Sequence, residues 1–92
     1  MPIEQEQIER AIAAAKEFGA SRLILFGSAV ESPERARDLD LVCEGIEGWD
    51  IFRLGARLEE ELRIPVDLVP FDPDDPFCRY VASRGRVIYE RH

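Results

Sequence analysis

Two short apolar runs, Arg22-Leu23-Ile24-Leu25-Phe26 and Asp38-Leu39-Asp40-Leu41-Val42-Cys43, are separated only by residues 27–37. That spacing constrains the fold more than any other feature of the chain. Each run has the length and composition of a strand. The link is too short to carry a long crossover helix, so the two strands are expected to be antiparallel neighbours. Within the link, Ser28 to Glu31 has room for one short helical turn, cut off by Ser32-Pro33. Strand alternation puts Leu39, Leu41 and Cys43 on one face of the second run, and Asp38, Asp40 and Val42 on the other.

The flanking segments supply helices and further strands. From about Glu4 to Phe18, the positions Ile8, Ala11, Ile12, Ala15 and Phe18 fall at helical spacing, and Gly19 is a good stop. Glu6 and Arg10 form an outward i,i+4 pair. Asp50 is placed to cap a helix running to about Arg63, with Ile51, Leu54, Gly55, Leu58 and Leu62 as its inner stripe, Arg57 and Glu61 paired outside, and Pro65 ending it. Val66 to Val69 reads as a third strand. Asp75-Pro76 has the chemistry of a capped helix start, with proline at the first position. That helix is expected to reach about Arg84, where Gly85 stops it before a last strand at Val87-Ile88-Tyr89. The expected fold class is α/β (α+β): a small mixed sheet of about four strands with helices packed on it. At 92 residues the chain has room for one core, so residues 1–92 are read as a single domain.

Composition narrows the function. The formal charge of −7, with no Lys/Arg run, argues against direct nucleic-acid binding. No apolar run approaches the roughly 20 residues of a membrane span, and the opening Met1-Pro2-Ile3-Glu4-Gln5-Glu6 is unlike a signal peptide. The expectation is a cytoplasmic protein. Cys43 and Cys78 match no metal spacing and are read as buried free thiols. The sole histidine is His92, so a general base must be a carboxylate or water.

The candidate chemistry gathers on the two central runs. Gly27 lets the backbone turn sharply and a ligand approach closely, and Ser28 opens a helical turn whose amides attract anions. An ordinary serine-capped turn has the same residues. Asp38 and Asp40, two apart on a strand, aim at one side and repel each other unless a cation intervenes. Mg²⁺ suits them, because it binds one or two carboxylates together with phosphate oxygens; a solvent-facing strand edge is the plain alternative. Asp67 interrupts the run Ile64-Pro65-Val66-Asp67-Leu68-Val69. An acid inside a short core strand is costly unless paired or metal-bound. If its strand lies beside the second, it completes a three-carboxylate cluster; otherwise it faces solvent.

Leu25-Phe26-Gly27-Ser28, Asp38-Leu39-Asp40-Leu41-Val42, Val66-Asp67-Leu68-Val69 and the ending Ser83 to Glu90 together resemble the minimal nucleotidyltransferases. These belong to the DNA polymerase beta-like superfamily and are the antitoxin-type partners of HEPN-domain proteins. The resemblance implies the polymerase beta-like nucleotidyltransferase fold. It implies two Mg²⁺ ions held by Asp38, Asp40 and Asp67, with Asp67 also available to take a proton. It implies ATP or another NTP whose terminal phosphates rest on Gly27 and Ser28. The implied reaction moves AMP to a hydroxyl, in the family a tyrosine of the HEPN toxin, which silences it. A homo- or hetero-oligomer is compatible with this. Where the family commonly has basic residues after the serine, this chain has Ala29 and Glu31. Arg35 and Arg37 are the nearest cations, either reaching back to phosphates or simply solvated. The alternative function is a catalytically weak module that neutralises its partner by contact. Because so small a chain cannot enclose its acceptor, a partner-facing apolar patch is expected, with Trp49, Phe71, Phe77 and Tyr80 as candidates. Each of these aromatics is otherwise expected in the core.

Overall fold

A computed structural model describes residues 3–91; Met1, Pro2 and His92, with the readings made on them, lie outside the described residues. The elements run α1 (Gln5–Glu17), β1 (Arg22–Phe26), α2 (Ser28–Glu31), β2 (Leu39–Glu44), α3 (Trp49–Leu62), β3 (Val66–Pro70), α4 (Pro76–Arg84) and β4 (Arg86–Glu90). The four strands form one sheet in the order β3-β2-β1-β4. β1 pairs antiparallel with β2, as the short link requires, and with β4 on its other side. β2 pairs parallel with β3, and α3 is the crossover that a parallel pair needs.

Strand alternation builds two cores of unequal size. Leu23, Leu25, Leu39, Leu41 and Cys43 face α1 and α3, which contribute Ala11, Ala14, Ala15, Ile51, Leu54, Leu58 and Leu62. Burying each of these leucines is worth about 1.5–3 kcal/mol, so this face carries most of the hydrophobic stabilisation. On the opposite face, Ile24 and Val42 meet Val81 of α4, with Phe26, Val69 and Phe71 at the margin. α4 packs chiefly over β1. It shields Ile24 and Val42 in the middle of this second face, and its Cys78 Sγ lies 3.7 Å from the Pro70 carbonyl at the end of β3, while Asp67 near the start of β3 stays exposed.

Helix ends follow local chemistry, with two corrections. The Asp75 side chain accepts from the Phe77 N–H, and Pro76 opens α4 as expected. α3, however, is capped by Gly48; Asp50 sits in its first turn and pairs with Arg53 at 3.6 Å. α3 also ends before Pro65, because Arg63 adopts a left-handed conformation at φ 57°. The outward pairs Glu6–Arg10 and Arg57–Glu61 are present.

The aromatics depart furthest from expectation. Trp49, Phe77 and Tyr80 are exposed rather than core, Trp49 by 80%, and Phe71 is half-buried. Phe52 is exposed as well, its ring tilted by 49° against that of Trp49 with centroids 5.9 Å apart. Residues 49 and 52 lie one helical turn apart, off the Ile51/Leu54/Leu58/Leu62 stripe, so the helix turns them outward.

Cys43 and Cys78 are both buried free thiols. Burial, and secondarily Glu44, push the Cys43 thiol up to about 11. The thiolate is the reactive form, so Cys43 is expected to resist alkylation at pH 8 in the native protein and to react on unfolding. Mass spectrometry after iodoacetamide treatment checks this; fast native labelling at Cys43 would contradict its burial.

Candidate active site

Three adjacent strands present a single transverse row. Phe26 on β1 is the cross-strand partner of Asp40 on β2. Asp40 is in turn the partner of Asp67 on β3. Partners in register share a face; it is the face on which α4 packs, with Asp67 exposed at its edge. Asp38 lies just before β2 on the same side. The antiparallel β1–β2 pair and the parallel β2–β3 pair together bring into one row acids that are 27 residues apart in sequence (67 minus 40).

The turn that follows Phe26 closes over this row. Gly27 has φ 74° and ψ −149°, a combination essentially restricted to glycine. The same glycine lies so close to Asp40 that a Cβ placed there would overlap Oδ2. Turn and carboxylate are thus in direct apposition. Val30 and Glu31 donate their N–H groups to the Gly27 carbonyl at 3.0 and 3.1 Å. The amides of Ser28 and Ala29 precede any helical acceptor and so have no partner within α2. Ser28 is exposed, while Ala29 is buried.

The electrostatics of the row are unfavourable without a cation. Asp40 is half-buried, whereas Asp38 and Asp67 are exposed. Burial, then the charge on Asp67, then that on Asp38, raise the Asp40 carboxyl above its ordinary value of 3.8. Because Asp67 is exposed on an edge strand, it avoids the desolvation cost expected of an acid in a core strand. Its importance is positional. Among the described residues, no three Asp, Glu, His or Cys side chains close up into a ready-made metal cage. The donor set is nevertheless all hard oxygen, open on one side, with two carboxylates in adjacent register. That composition matches Mg²⁺, which uses one or two carboxylates and fills its remaining positions from water and phosphate.

Other predicted residues are placed differently. Arg37 lines a groove of about 570 Å³ with Glu4, Gln7, Arg10, Glu61 and Arg63, not the cleft beside Gly27. That second cleft, of about 210 Å³, runs between α2 and α4 and is walled by Gly27, Val30, Glu31, Phe77, Tyr80 and Arg84, among others. Sequence reasoning did not single out Phe26 or Arg84. Phe26 was accessible to it: alternation places residue 26 opposite Leu23 and Leu25, hence on the Asp40 face. It packs edge-to-face on Phe77 at 5.4 Å, beside the carboxylate row. Arg84 had no local signal, because its position depends on how α4 crosses the sheet.

No known family profile matches the sequence, and no curated protein matches it. Its likeness is to solved structures. A chain of the toxin–antitoxin MntA–HepT crystal structure superposes with a TM-score of 0.74 at 18% identity, covering 95% of this chain and 73% of that one. A chain of a toxin–antitoxin structure with AMP-PNP gives 0.76 at 18% identity, covering 98% and 76%. A third, from the tri-AMPylated Shewanella oneidensis HEPN toxin in complex with MNT antitoxin, gives 0.75 at 18% identity, covering 96% and 73%. Over nearly its whole length, therefore, the chain has the nucleotidyltransferase-like fold found in these MNT–HEPN toxin–antitoxin complexes.

Proposed function

We propose that this chain is a Mg²⁺-dependent nucleotidyltransferase of the antitoxin type, moving AMP from ATP to a tyrosine hydroxyl of a HEPN-domain partner. The observation that carries this reading is the register Asp40–Asp67 beneath the Gly27 turn. It sets a carboxylate pair directly against a turn whose first amides have no partner within α2. Asp38, Asp40 and Asp67 are the residues that would hold two Mg²⁺ ions. When bound, the ions supply charge neutralisation and lower the pKa of the acceptor hydroxyl. The Ser28 hydroxyl and the Ser28 and Ala29 amides donate to the terminal phosphates. Asp67, exposed at the sheet edge, is free to accept the acceptor's proton. The acceptor oxygen then bonds to the α-phosphorus as the bond to the leaving pyrophosphate breaks. These residues act by positioning the reactants and stabilising charge. The fold's likeness to complexes with AMP-PNP and with a tri-AMPylated toxin supports the choice of ATP and of a protein acceptor.

The test is incubation of the chain with a HEPN partner, ATP and Mg²⁺, followed by intact mass. A shift of one AMP on the partner, lost without Mg²⁺, is expected; no shift while the partner is still neutralised would establish the alternative. That alternative, neutralisation by contact, is favoured by one observation: Ala29 is buried and Glu31 is acidic, so α2 itself offers phosphate no cation.

A further inference from the structure

The cleft between α2 and α4 holds a cation where α2 has none. Arg84, the last residue of α4, lines it together with Gly27 and Glu31. Its guanidinium lies 5.9 Å from the centre of the Tyr80 ring, an arrangement that orients the side chain without consuming its charge. Among the described residues Arg84 makes no ion pair; the salt bridges involve Arg10, Arg22, Arg53 and Arg57. The other walls of the cleft are largely apolar, including Val30, Phe77 and Val81, so Arg84 is the cation this cleft presents. Arg37 is turned into the separate groove beside α1 and α3.

We propose that Arg84 binds the terminal phosphate of the nucleotide, reaching across from α4 to the Gly27-Ser28 turn. This deepens the nucleotidyltransferase reading and rests on it. The sheet order explains the division of labour. Asp67 and Asp40 stand on β3 and β2, the phosphate turn follows β1, and Arg84 ends the helix packed over β1. A triphosphate whose α-phosphate lies at the carboxylates and whose tail rests on Gly27 ends at the mouth of this cleft. A planar guanidinium there offers paired donors to phosphate oxygens, and it offsets Glu31, which would otherwise repel them.

Titration calorimetry of the full chain with ATP and with AMP, both with Mg²⁺, tests this. Arg84→Ala is expected to weaken ATP about tenfold, the scale of one charged hydrogen-bonding contact. AMP, which lacks the terminal phosphates, should bind as to wild type, and Arg84→Lys should fall between. Unchanged circular dichroism will show that the exposed substitution leaves the fold intact. If Arg84→Ala binds ATP like wild type while Asp40→Ala does not, the Arg84 assignment is wrong and the transferase reading stands. Equal weakening of ATP and AMP overturns the assignment to the terminal phosphate. If wild type binds no ATP with Mg²⁺, both fall together.

Discussion

Asp40→Asn is expected to reduce AMP transfer by about a thousandfold or more and, at neutral pH, to make the protein more stable. The two effects have one origin. Asp40 is half-buried and flanked by Asp67 and Asp38, and burial followed by those charges raises its carboxyl above 3.8. A carboxyl whose folded pKa exceeds its unfolded value holds its proton more tightly in the folded state. Its contribution to stability is therefore greatest in acid, declines as pH rises through the folded pKa, and stays low at pH 7. The amide keeps the shape and removes the charge, so the gain of Asp40→Asn is present at neutral pH and vanishes below about 3.8. Because the site is partly solvated, the gain is small and reads as a modest rise in Tm. Millimolar Mg²⁺ should raise the wild-type Tm, by mass action on the folded state, and should do so much less for the variant. Thermal melts of both proteins across pH, with and without Mg²⁺, measure all of this. A lower Tm for Asp40→Asn at pH 7 would mean that the carboxylate serves structure, not a ligand.

Some parts of this arrangement were legible in sequence and others were not. The elements were, because each rests on local rules: alternation in β1 and β2, the stripe of α3, and the Asp75-Pro76 start of α4. The antiparallel β1–β2 pair was also legible, since an 11-residue link (27 to 37) allows little else. That pairing alone sets Phe26 opposite Asp40. The partnership of Asp40 with Asp67 was only conditional, because nothing within β3 says which strand it will join or in which direction. The aromatics misled for a related reason. Size argues for burial, but Trp49, Phe77 and Tyr80 lie outside the buried positions of their helices, and a sheet of four short strands leaves part of its surface uncovered. Arg84 was invisible for the converse reason. The ending Ser83 to Glu90 that contains it assigns it no role, and its proximity to Gly27 exists only once β4 returns to pair with β1 and carries the end of α4 with it.

Gly27→Ala should cost both stability and activity, and the two contributions can be separated. At φ 74° and ψ −149° any side chain is strained, by about 1–3 kcal/mol. The new methyl would also overlap Asp40 Oδ2, forcing the carboxylate out of the row it shares with Asp67. Together these should destabilise the protein by about 3 kcal/mol, lowering Tm by roughly 12 °C or more, and the fraction still folded should transfer little AMP. Repeating the substitution in an Asp40→Ala background removes the collision and leaves the backbone strain. The cost there should fall by at least about 1 kcal/mol, a coupling expected only of residues in contact. Gly85→Ala is the control. Its φ of −76° is ordinary, but its Cβ would meet the carbonyls of Val81 and Leu25 at 2.7 and 2.8 Å. That loss is pure packing and should be the same whether residue 40 is Asp or Ala. If Gly27→Ala is likewise additive with Asp40→Ala, the turn and the carboxylate do not touch, and the phosphate turn cannot be assigned to the same site as the acids.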